Sequence, residues 1–137
     1  MACLARTGRR ARMSTGRLPA AVEASAMIRL AEAAGGFAMV LHKGEADSGS
    51  ILIVLLENQG FGQTNARLFE RLPRADGLRA WTLSKVQDTE NKEEFERYLA
   101  RRKAQDRDLW IIELTVAQGD QFILNLALNE NKTGFMG

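Results

Sequence analysis

Apolar and polar positions change period several times along the chain. From Pro19 to Ala34, Ala24, Met27, Ile28, Ala31 and Ala34 recur at helical spacing, with Glu23, Arg29 and Glu32 off that face. Proline suits a first helical turn, and Gly35-Gly36 supplies the stop. Two strands, Phe37–His42 and Ile51–Glu57, follow on either side of the polar loop "KGEADSGS". In the second, Ile51, Ile53 and Leu55 alternate with Leu52, Val54 and Leu56, so it is apolar on both faces and belongs in the middle of a sheet. The turn "NQGFGQTN" leads into Asn65–Leu72, where Ala66, Leu68 and Glu70 face one way and Arg67, Phe69 and Arg71 the other. "PRADG" is turn chemistry, and Arg79–Ser84 is a fourth strand.

The period then becomes helical again in "NKEEFERYLARRKAQD". Phe95, Tyr98 and Leu99 form a narrow apolar stripe, and Asn91 and Glu94 have capping-box spacing. Acids lie early and Arg101, Arg102 and Lys103 late, as the helix dipole favours. "DLWIIELTV" is a fifth strand, "GD" a turn, and "QFILNLAL" a candidate sixth. The short links favour antiparallel pairing of consecutive strands. The expected fold is therefore α+β: a mostly antiparallel sheet of five or six strands with two helices packed on one face, in the order α-β-β-β-β-α-β(-β). Trp81 and Trp110 stand at strand positions amid aliphatic residues, which marks them as core.

The 137 residues suit one domain, with 45% hydrophobic and 26% charged residues. Residues 18–126 are expected to form it, with 1–17 as a basic arm and 127–137 as a frayed tail. No apolar run approaches the roughly 20 residues that span a bilayer. With one cysteine and one histidine, neither an internal disulfide nor a Cys/His metal cluster is possible. The pI of about 9.0 hints at nucleic acid. However, Arg6, Arg9, Arg10, Arg12 and Arg17 stand in residues 1–17 with no acid. Without these five, 14 basic residues face 17 acidic ones, and the remainder is net −3. The basicity thus belongs to a tail, and nucleic-acid contact, if any, falls to that arm. Composition shifts at Met13, which reads as the natural start.

No phosphate-loop, dinucleotide, nucleophile-elbow or zinc-protease motif occurs. This favours a non-catalytic protein acting through a protein partner or as a homo-oligomer, without cofactor, metal or membrane. The competing reading is an anion- or nucleotide-binding domain or enzyme. It would use His42 as a proton shuttle, Lys43 as an anion contact and Asp47 as a carboxylate partner, with Arg67 and Arg79 on paired strands gripping a phosphate or carboxylate. That reading requires His42 and Arg67 to converge in one pocket.

Three stretches, "AAGGFAMVLHKGEADSGSILIVL", "ARLFERLP" and "EFERYLARRKAQDRDLWIIEL" followed by "GDQFI", together resemble a bacterial family of small proteins catalogued as domain of unknown function 1491. The resemblance runs from about Leu18 to Leu124 and is most specific in the H-K-G-x-x-D-x-G loop and in the stretch ending D-L-W-I-x-E at Glu113. It implies a small cytoplasmic domain and carries no activity or site residue. It also leaves open a structural role for the hallmarks, with Asp108 capping the start of the strand and Trp110 anchoring the core.

Overall fold

The computed structural model describes residues 18–60 and 63–126. Expectations for the basic arm, for Met13 as a start and for the tail after residue 126 lie outside them. Helix α1 (Ala20–Ala33) leads to strands β1 (Phe37–His42), β2 (Ile51–Gly60), β3 (Gln63–Pro73) and β4 (Arg79–Val86), then helix α2 (Lys92–Gln105) and strand β5 (Trp110–Thr115). Residues 119–126 form a third helix, α3.

The fold is α+β, with a five-stranded mixed sheet in the order β1-β5-β2-β3-β4. β1 pairs antiparallel with β5, and β2–β3 and β3–β4 are also antiparallel, but β5 runs parallel to β2. β2 is central, as its two-sided apolarity requires. The expected β1–β2 neighbourhood is corrected: the last strand is inserted between them. The eight-residue link at 43–50 foreshadows this, since tight hairpins use two to five residues.

Helices cover both faces, which corrects the expected one-sided packing. On one face α1 and α3 place Ala24, Met27, Ala31, Phe122 and Ile123 against Ile53, Leu55, Ile112 and Leu114. On the other α2 sets Phe95 against Leu52, Val54, Leu68 and Ile111, flanked by Tyr98 and Leu99. The expected sixth strand is helical for the same reason: Phe122, Ile123 and Leu126 are buried while Leu124 is 54% exposed, a helical rather than an alternating pattern. Gly35 ends α1 at φ 83°, the left-handed geometry that glycine tolerates. The Asn91 side chain makes no capping bond; its carbonyl instead accepts from Glu94 N at 3.3 Å.

β3 ties this frame to all three helices. Arg71 forms two bonds to Glu23 of α1, at 2.6 and 3.1 Å. Its guanidinium also lies 4.8 Å from the Trp81 ring centre. Glu70, on the other face, receives Arg102 of α2 through two 3.0 Å bonds. Arg67 reaches Asp120 of α3 at 2.9 Å and also pairs with Glu57 of β2.

The Arg71–Glu23 pair is nearly buried, with side chains 4% and 11% exposed, so truncating one member strands a charge. Arg71→Ala is expected to cost about 3 kcal/mol. Arg74→Ala, which removes the exposed Arg74–Asp76 pair, is expected to cost less than about 0.5 kcal/mol. Urea unfolding of both variants checks the ranking. Hydrogen bonding from Arg102 holds the Glu70 carboxyl below its ordinary value of 4.5. With the folded value below the unfolded one, the stabilisation is complete above the ordinary range and lost as pH falls through the folded value. Glu70→Gln should therefore flatten the acid limb of the stability–pH curve, read by thermal melts at stepped pH.

Candidate functional site

Two places combine polar groups with unusual backbone geometry. The first is the 43–50 loop. It leaves β1, passes over the start of β5 and enters β2. Glu45 N donates to Asp108 O at 3.0 Å, and Trp110 Nε1 donates to Glu45 O at 2.8 Å. Trp110 N donates to Ser50 O at 2.8 Å. His42 Nδ1 lies 2.6 Å from Leu109 O, and since a carbonyl only accepts, Nδ1 carries the proton. Two glycines permit this approach: a Cβ on Gly44 would stand 2.0 Å from Asp108 O, and one on Gly49 would stand 2.3 Å from it.

The loop also supplies the N-terminal cap that α1 lacks from any side chain. Ala20 N donates to Asp47 O at 3.1 Å and Ala21 N to Ala46 O at 2.8 Å. Glu45 holds the turn, accepting from Asp47 N at 2.9 Å and Ser48 Oγ at 3.0 Å. Hydrogen bonding from Ser48 lowers the Glu45 pKa from its ordinary value. The two hallmark segments of the sequence thus form one contact. Asp108 takes part through its carbonyl, while the Asp106 carboxylate accepts from Asp108 N at 3.0 Å. Trp110 anchors the core at 5% exposure.

The sequence-derived candidates are not gathered into one pocket. His42 pairs with Ile111 and so faces α2. Arg67 pairs with Leu55 and faces α1 and α3. Three strand spacings, about 14 Å, also separate their strands. Arg79 pairs with Pro73, six residues along β3 from Arg67, or about 20 Å. Lys43 is exposed, and Asp47 acts through its main chain. Among the described residues no group of three or more His, Cys, Asp or Glu could hold a metal ion. None of the described helices is long and apolar enough to cross a membrane.

The second place was not singled out from the sequence. A crevice of about 480 Å³ opens beyond the carboxyl end of β5, between the start of β1 and Glu57 of β2, lined by Gly35, Gly36, Phe37, Glu57, Thr115 and Val116. A Cβ on Gly36 would stand 2.2 Å from Thr115 O, so glycine lets β1 begin against the end of β5. The available signal was Glu57, an acid closing the six-residue apolar run of a central strand.

A mixed sheet with β5 inserted and its start clasped by the 43–50 loop defines the structural class. The family described as "Protein of unknown function (DUF1491)" matches residues 18–124, and the chain belongs to it. A crystal structure of a DUF1491 family protein from Caulobacter crescentus CB15 is 30% identical, with a TM-score of 0.65 over 77% of this chain and 94% of that one. An NMR structure of a DUF1491 family protein from the same organism gives 31% identity and 0.63 over 77% and 92%. The solution structure of protein Atu0922 from A. tumefaciens gives 27% identity and 0.59 over 78% and 92%. No curated protein matches.

Gly44→Ala would drive a Cβ into a backbone carbonyl, whereas Gly77, at φ 84°, has no neighbour within 4 Å of a Cβ. Gly77→Ala is expected to cost about 1–2 kcal/mol of left-handed strain, and Gly44→Ala at least twice as much. Thermal denaturation of the two variants provides the comparison.

Proposed function

We propose that the protein acts by protein–protein contact without catalysis, with β1 as the contacting edge and a second copy of the chain as its partner. The observation that carries this reading is the character of that edge. Among the described residues β1 has one hydrogen-bonded neighbour, β5, which leaves its outer edge without a strand partner there. Between Phe37 and Leu41 it holds no charge, and Phe37 is 75% and Met39 58% exposed. Both share the face of Glu113 and Thr115, which lies outside the apolar cluster under α2. The opposite edge, β4, carries Arg79 and Lys85, the kind of charge that keeps edge strands apart.

A bulge between Val40 and His42 confines the regular edge to Phe37–Val40. Two such edges related by a two-fold axis at Ala38 set Phe37 of each copy opposite Met39 of the other. This is a self-complementary sulfur–aromatic contact. The two sheets then join as one of ten strands.

Light scattering on sized fractions across a concentration series tests the reading. A concentration-dependent dimer is expected. Met39→Asp should shift it to monomer, while Leu83→Asp on β4 should leave it unchanged. A monomer at every concentration overturns the proposal.

A further inference from the structure

We propose that the crevice at the end of β5, beside Glu57 of β2, binds a small organic cation, an ammonium or amidinium group on an apolar body. Its volume of about 480 Å³ is within the range of small-molecule sites. It lies where the parallel β2–β5 ladder ends, at Leu56 and Thr115.

Charge determines which ligand fits. Glu57 lines the crevice and shares Arg67 with Asp120. Two carboxylates against one guanidinium leave this group with one net negative charge. Gly35 and Gly36, also on the wall, directly follow the carboxyl end of α1, where the helix dipole leaves a partial negative charge. The last turn of α1 has no basic residue and contains Glu32, whereas α2 ends with Arg102 and Lys103. A cation between Glu57 and the α1 terminus would complement both. Val116 and Ala117 add an aliphatic wall for the rest of the ligand.

The test uses the full-length protein and three ring compounds of matched size: benzylammonium, benzyl alcohol and benzoate. Amide chemical shifts are followed during titration. Benzylammonium is expected to shift Gly35, Gly36 and Thr115 saturably, while the alcohol and the acid are not. Glu57→Gln should weaken benzylammonium by about fivefold, the value of one partly exposed ion pair. Glu113→Gln, a carboxylate outside the crevice, should leave it unchanged. Equal binding of benzyl alcohol, or no saturable shift with benzylammonium, overturns the proposal. The Met39→Asp monomer should bind benzylammonium as the parent does, which separates this site from the β1 contact.

Discussion

The insertion of β5 between β1 and β2 is the constraint from which most of the local structure follows. A strand occupies about 4.8 Å of sheet width, so β1 and β2 are held about 10 Å apart and their link must bridge that gap. The link therefore crosses the start of β5, bringing backbone against backbone at Asp108. Glycines at 44 and 49 make that crossing possible, and the carbonyls it turns outward satisfy the first amides of α1. The largest fully buried side chains, Leu52, Ile53, Leu55, Leu68, Leu109, Ile111, Ile112 and Leu114, lie on β2, β3, β5 and the residue leading into β5. At about 2 kcal/mol for each such side chain, the inserted strand and its neighbours dominate the core.

β3 adds specificity to that core. Strand alternation sends Arg67 and Arg71 to one face and Glu70 to the other, and each finds a charged partner on a different helix. Apolar faces alone would let a helix slide over a flat sheet. An ion pair with a nearly buried arginine does not, because a displaced helix leaves the charge uncompensated. Lys85 and Glu94, 2.8 Å apart, pin α2 to β4 as well. Such pairs add little net stability over an apolar pair, and their effect is mainly to fix where each helix docks.

Element types were largely legible because each rests on local periodicity. Ala24, Met27 and Ala31 announce α1; Ile51–Leu56 announces a central strand; the two-faced pattern of β3 is realised residue by residue. Strand order was not legible. Nothing in "DLWIIEL" distinguishes a strand that follows β4 in space from one that inserts between β1 and β2. Only the length of the 43–50 link hints at it. The same long-range pairing governs the sites. A pocket joining His42 with Arg67 does not form, because the bulge between Val40 and His42 turns His42 to the Ile111 face, while Arg67 lies on the opposite one. Glu57 and Gly36 are far apart in sequence and line one crevice because β5 lies between β1 and β2.

Because β5 pairs with both β1 and β2, the sheet has a vacant slot while the chain is being synthesised. The ribosome releases α1, the β2–β3–β4 meander and α2 before Trp110–Thr115 emerges. Until then β1 has no sheet partner, and β2 lacks one of its two. Sheet completion is thus a late, long-range event, and the nascent chain holds its most apolar strand edge open during that interval.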